Sequence, residues 1–489
     1  MQAQSPIQTR PYNREEWSRG YESLREEFDY PIDEIEGDIP PELQGTLFRN
    51  GPGLLDIRGD RYQHPFDGDG MICAIAFQDG KAHFRNRYVR TEAYVQEQQA
   101  QKILYRGVFG TQKPGGWLAN AFDFRLKNIA NTNVIYWGGK LLALWEAAEP
   151  HRLDPKTLET LGLDDLDGVL AKGDAFAAHP WVDPDCNGET RLVNFSVKPG
   201  LSTTITLYEL NESGTVVKQQ KRSVPGFAFM HDFAITPNYC IFFQNAVQFN
   251  PLPFALGMKG AGECIRFRDN EPTQILVIPR DATRPIQTIP VYSGFVFHHI
   301  NAYEQGDTVI VDSIAYDALP APEPGQDYRE VNFEAMAPSQ MWRLHLDLQR
   351  KTVLRERLDE RACEFPVVHP NRVGRPYHIA YMGAAHEPQS NAPLQAILKA
   401  NVETGDRQLW SAAPWGYVSE PVFVPRATSD PMVEDDGWLL TLVFNAHESR
   451  SEVVILDAAD LTRGPLARLK LKHHVPYGLH GSFTPEVFA

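Results

Sequence analysis

Four histidines stand in apolar, aromatic text beside a turn former: His179 in AHPWVDP, His231 in FAFMHDFAIT, His298 in FVFHHINAYE and His480 in PYGLHGSF. Neutral imidazole is a ligand for iron, copper, nickel and zinc, so the residue type points to a transition metal without naming it. Taken singly, each would be an ordinary core histidine bonded to a backbone carbonyl. His83, His345 and His447 lie in polar or alternating text, and His473 and His474 follow a basic run. Recurrence of one context at four distant places suggests ligands that the fold brings together.

The elements that must position them read as strands. Phe295, Val296, Phe297 and Ile300 are β-formers. Neighbouring side chains of a strand point to opposite faces, so His298 and His299 cannot both point inward. From about residue 134 a hairpin theme recurs: an apolar strand, a turn with Asp or Asn, a second strand. It appears as ITLYELNESGTVVKQQ, WRLHLDLQRKTVLRERL and ILKANVETGDRQLW, among others. Repeated hairpins with few helices fit radial repetition, an all-β propeller. Blades converge on a central axis, where histidines far apart in sequence can meet and leave coordination positions open. No linker divides the chain, so residues 1–489 are expected to form one propeller domain, with 1 to about 30 as an N-terminal extension. Residues 13–28 are expected to form a short surface helix and 91–105 a longer one. The stretches 91–128 and 246–270 should cover one face. FRNGPG and HPFDGDGM read as tight turns, because FDGDG lacks the spacing and terminal Glu of a calcium loop.

Composition narrows the class. With 489 residues, 42% apolar and 11% aromatic, the chain can build a large core. A formal net charge of -16 argues against nucleic acid, whose phosphates require clustered Lys and Arg. Five widely spaced cysteines with no CxxC fit a reducing compartment and exclude a cysteine-rich zinc site. No run reaches the ~18 apolar residues of a membrane span, and the N-terminus lacks the apolar core of a signal peptide. A cytoplasmic protein is expected. The apolar, proline-broken segment 249–260 (FNPLPFALGMKG) is the candidate for peripheral membrane contact, the competing reading being a dome loop packed on the propeller.

The four histidine contexts, together with FRNGPG, FDGDGM, LALWE and YVSEP, resemble the carotenoid cleavage oxygenases from about residue 30 onward, especially their cyanobacterial-type apocarotenoid branch. The resemblance implies a seven-bladed propeller with a loop and helical dome, and one non-haem Fe(II) on its axis held by His179, His231, His298 and His480, with His299 not a ligand. It implies that Glu146, Glu364 and Glu420 each hold a ligand imidazole, which fixes the tautomer and ring angle. It also implies that the methyl of Thr132 shields one of two remaining coordination positions, the other being taken by dioxygen. Trp145, Phe229, Phe297, Phe365 and Phe483 lie within two or three residues of these groups; each alone reads as core, but as a set beside a metal they suggest an apolar tunnel. The resemblance adds Phe66, Phe109 and Tyr316 to it. The implied reaction is O2-dependent cleavage of a polyene double bond, the 15,15′ bond of apo-carotenals, giving retinal and a second aldehyde. Three alternatives stand beside it: cleavage of stilbenes, as in a sister branch that pairs a tyrosine and a lysine with the substrate phenol; isomerohydrolysis of retinoid esters without O2; and a non-catalytic carotenoid-binding propeller. Lys127 is available for the stilbene role, whereas Thr111 stands about where the tyrosine would be.

Overall fold

The computed structural model describes residues 12–489 apart from 199, 201, 293, 321–325, 390, 428, 429, 431 and 432. Seven antiparallel sheets of four to six strands form the blades of a β-propeller. Their innermost strands are, in blade order, Gly481–Thr484, Asn133–Trp137, Trp181–Asp183, Ala234–Ile235, Phe295–Gln305, Cys363–Val368, and the pair Gly416–Val418 and Val422–Pro425.

The ring is closed at two places. Strand 481–484 supplies the inner edge of blade one, pairing with Gly45–Leu54 so that Arg49 lies opposite Gly481. Strand Ile35–Gly37 supplies the outer edge of blade seven, against Pro465–Lys470. Middle strands are buried on both faces between neighbouring blades, as in Gly45–Leu54 and Asp69–Gln78, whereas an outer strand such as Val216–Pro225 alternates exposed and covered positions. Apolar side chains of adjacent blades interlock to form the core; Ile241, Ile275 and Val277 of blade four meet Val296, Val309 and Val311 of blade five.

The glycine motifs are backbone junctions around the axis. A Cβ on Gly51 of FRNGPG would lie 2.4 Å from Gly478 Cα, and one on Gly481 would lie 2.2 Å from Phe48 O. A Cβ on Gly70 of FDGDG would lie 2.3 Å from Ala130 O, two residues before Thr132. Only glycine permits these approaches.

Both expected helices are shorter than the sequence suggests. The first spans Arg14–Ser18, capped by the Asn13 side chain and followed by a 3-10 turn at Arg19–Tyr21. It is not a surface element throughout, because Trp17 is buried. The second spans Glu92–Ala100, capped by Thr91 and ending at Gln101 in the left-handed conformation. It stops there because the Glu97 carboxylate takes the amides of Leu104 and Tyr105 at 2.8 and 3.1 Å. The stretches 91–128 and 246–270 do meet: Phe122 N donates to Ala255 O at 2.8 Å and Arg106 Nη2 to Lys259 O at 2.7 Å.

Candidate metal centre and substrate cavity

Each blade sends one ionisable side chain to the axis. His480 precedes the inner strand of blade one, Glu146 follows strand Lys140–Leu144 of blade two, and His179 and His231 precede the inner strands of blades three and four. His298 and Glu364 lie within the inner strands of blades five and six, and Glu420 lies between the two inner strands of blade seven. One nitrogen of each histidine falls within 4.8 Å of the others. The Nε2 of His231 is 3.0 Å from that of His179 and 3.2 Å from that of His298. His299 faces the other way, with Nδ1 2.8 Å from Ser313 Oγ and its ring against Phe243. The pairing register shifts on both sides of His299, which lets His298 turn fully to the axis.

Three imidazoles are held from behind by carboxylates. Glu146 contacts His231 Nδ1; Glu364 Oε2 is 2.5 Å from His298 Nδ1, and Glu420 Oε1 2.7 Å from His480 Nδ1. Burial would raise these carboxyls, but the neighbouring imidazoles outweigh it and keep all three below the usual carboxylate range, helped at Glu420 by Arg49. An ionised carboxylate accepts the Nδ1 proton, so Nε2 is left with its lone pair. In the neutral form the free nitrogens of these three rings converge with one nitrogen of His179, all four lying within 4.8 Å of one another. Neutral nitrogen donors converging on one point repel unless a cation lies among them, so this donor set fits a borderline transition metal. Burial also pushes His480 down to about 4 and His179 well below its ordinary value, which keeps both in the ligating form. His298 goes the other way: Glu364 overcomes its burial and raises it.

The axis opens into a cavity of about 340 Å³ lined by His231, His298 and His480 and by seven of the eight aromatic residues expected of a tunnel: Phe66, Phe109, Trp145, Phe229, Phe297, Tyr316 and Phe365. Phe483 does not reach it; it packs on the core of blades one and seven. Nearness along the strand placed it near His480 but not on the same face. Thr132 lines the cavity, its hydroxyl donating to Asn131 Oδ1 at 3.2 Å and its carbonyl accepting His480 N at 3.1 Å. Phe365 takes φ +57°, a strained setting for a bulky residue, and its amide donates to Glu364 Oε2 at 2.7 Å.

Two further chambers, of about 550 and 240 Å³, share walls with the first. Phe66 borders all three; Phe109, Phe229 and Phe297 are shared with the larger, Phe365 and Leu479 with the smaller. The apolar space thus continues from the histidine-lined chamber into two adjoining ones. Trp17 and Tyr21, expected on a surface helix, form part of its wall; the signal for this is the apolar spacing Trp17, Tyr21, Leu24.

The profile of the retinal pigment epithelial membrane protein family matches residues 21–485. The chain belongs to that family. Apocarotenoid-15,15'-oxygenase of Synechocystis sp. is 54% identical over 485 residues, 98% of each chain. Isoeugenol monooxygenase of Pseudomonas nitroreducens is 31% identical over 464 residues, 93% of this chain and 94% of that one. The crystal structure of cobalt-substituted Synechocystis ACO superposes with a TM-score of 0.95 at 53% identity, covering 97% of this chain and 99% of that one.

Within the family fold, Lys127 and Thr111 are both committed elsewhere. Lys127 is buried, with Nζ 2.8 Å from Asp69, 2.7 Å from Glu97 and 2.8 Å from Tyr62 Oη. The Thr111 hydroxyl accepts Gln63 N at 2.9 Å. Segment 249–260 is only partly a surface. Leu252 and Met258 are exposed, while Phe254 is buried beneath the Arg106 guanidinium at 4.0 Å and Phe249 stacks on Phe227. The larger apolar surface lies beside it, in Trp117, Leu118, Phe122 and Phe124. Among the described residues no helix is long and apolar enough to cross a membrane.

Proposed function

We infer that this chain is an iron(II)-dependent dioxygenase that cleaves one polyene double bond of an apocarotenoid, the 15,15′ bond of an apo-carotenal. Both atoms of O2 enter the products, one in each new aldehyde, and one product is retinal. The observation that carries this reading is the four-imidazole cluster opening onto an apolar space that continues into two adjoining chambers. The identity to apocarotenoid-15,15'-oxygenase supports the substrate class.

His179, His231, His298 and His480 would hold the metal, and Glu146, Glu364 and Glu420 would fix their rings. Ferrous iron bound there would supply the activation of dioxygen that organic side chains lack. The rest falls to the chain's own residues. Phe66, Phe109, Phe229 and Phe297 form walls that take a flat polyene and exclude water. Trp145, Tyr316 and Phe365 line the space beside the histidines, where the bond to be cleaved would lie. With its hydroxyl held by Asn131, Thr132 would use its methyl to shield the bound metal. The stilbene reading is disfavoured because Lys127 is tied to two carboxylates and a tyrosine rather than lining the cavity.

We propose a cytoplasmic enzyme that meets its substrate at a membrane surface through Trp117, Leu118, Phe122, Phe124, Leu252 and Met258. The deciding experiment loads the protein with Fe(II) without oxygen, then supplies air and 8′-apo-carotenal. Chromatography should show retinal and a dialdehyde with one O2 consumed per bond cleaved. Turnover of a retinyl ester without O2 would indicate isomerohydrolysis, and stoichiometric iron without O2 uptake on either substrate a non-catalytic binder; either would overturn the reading.

A further inference from the structure

The three axial carboxylates have different second partners. Glu364 accepts the Tyr316 hydroxyl at 2.8 Å. Glu420 alone meets another full charge, the Arg49 guanidinium, which is 3% exposed. Arg49 Nη1 is 2.6 Å from Glu420 Oε2, and Nη2 donates to Leu479 O at 3.1 Å. Leu479 immediately precedes His480. Gly481, immediately after it, pairs with the backbone of Arg49 and donates its amide to Glu420 Oε2 at 2.9 Å. One residue therefore grips His480 through its ring, by way of Glu420, and through the chain on either side. Arg49 Nε is buried with no hydrogen-bond partner among the described residues, a cost that an apolar residue would avoid.

The charges are telling. Three carboxylates and one guanidinium touch the imidazoles or their partners, a net charge of -2 that is equal and opposite to a dication. Uncompensated buried charge is strongly unfavourable, so this surround suits a divalent ion. Asp232, next to His231, is also buried but is bonded by Trp181 Nε1 and by the amides of His299 and Phe233, at 3.2, 2.8 and 2.7 Å, rather than by a ligand imidazole.

We propose that Arg49 is a positioning residue of the metal centre: it clamps His480 and reduces the negative surround to match a divalent ion. This rests on the metal-centre reading above, and the test separates the two. Protein stripped of metal is titrated with Co(II), whose visible bands report ligand geometry, and release is then timed with a chelator. Wild type should bind one Co(II); failure to do so would overturn the metal-centre reading itself. Arg49→Met should release Co(II) ~10- to 100-fold faster, as losses behind a ligand typically do, with shifted bands. Arg49→Lys, which keeps the charge but not the fork, should fall between. In a Glu420→Gln background, Arg49→Met should add little. Arg280→Met is the control: Arg280 is equally buried but pairs with Asp183 and Glu209, so its loss should lower stability and leave spectrum and release unchanged. Wild-type bands and release in Arg49→Met, or equal effects of that change in both backgrounds, would refute the proposal. If Arg49→Met does not fold, Arg49→Lys decides alone, and wild-type bands and release there refute the clamp.

Discussion

Replacing Trp117, Leu118 and Phe122 together with serine is expected to detach the protein from lipid without touching the reaction site. The three side chains are 58%, 72% and 70% exposed. Complete burial of a large apolar side chain is worth ~2 kcal/mol; with two thirds of each available and about half of that immersed at an interface, the trio contributes about 2 kcal/mol. That corresponds to roughly a 30-fold loss in partitioning. The assay is flotation with zwitterionic liposomes at low and high salt. Binding of the wild type should persist or rise with salt, because the attraction is apolar and the net charge of -16 offers no general attraction to lipid. Turnover of detergent-dispersed substrate should stay near normal in the variant. Equal flotation of variant and wild type, or release of the wild type by salt, would refute the reasoning; lost turnover in detergent would mean that the residues support the dome instead.

His298→Ala should abolish activity and bound iron, whereas His299→Ala should keep its metal and lose only packing stability; the reverse pattern in metal analysis would invert the assignment. Glu364→Gln should weaken metal affinity or turnover by ~10- to 100-fold, measured by metal competition and oxygen uptake. Because Glu364 raises His298 above its ordinary value in the metal-free protein, a proton must leave before metal binds. Affinity for Co(II) should therefore rise with pH through and above ~6.5, and a flat profile would contradict it. Lys127→Met strands Asp69 and Glu97 and should cost ~3–5 kcal/mol in urea unfolding. If activity fell while stability held, Lys127 would be serving substrate after all.

The histidine cluster was legible because each of its members sits in unusually apolar text, and because strand alternation requires His298 and His299 to face opposite ways. The helix lengths were not, since their ends depend on contacts such as Glu97 with Leu104. Arg49 was invisible as well: it reads as one residue of a turn motif, and its partner Glu420 lies 371 positions away. The apolar surface was legible only in part, at Leu252 and Met258. Segment 249–260 has the denser apolar run, yet Phe254 and Phe249 are consumed by Arg106 and Phe227, while the sparser 117–124 leaves its side chains outside.

The double closure of the ring bears on how the protein is made. Strand 481–484 is the last of the described strands to leave the ribosome, and His480 stands immediately before it. A growing chain can form blades two to six while still tethered, but until this strand slots into blade one the centre has three imidazoles and an open seam. Metal loading would thereby wait until strand 481–484 has emerged. A nascent fragment, or a product truncated before residue 480, would lack both the fourth nitrogen and the strand that seals the ring. Such material should remain metal-free and open rather than become a half-active oxidant in the cell.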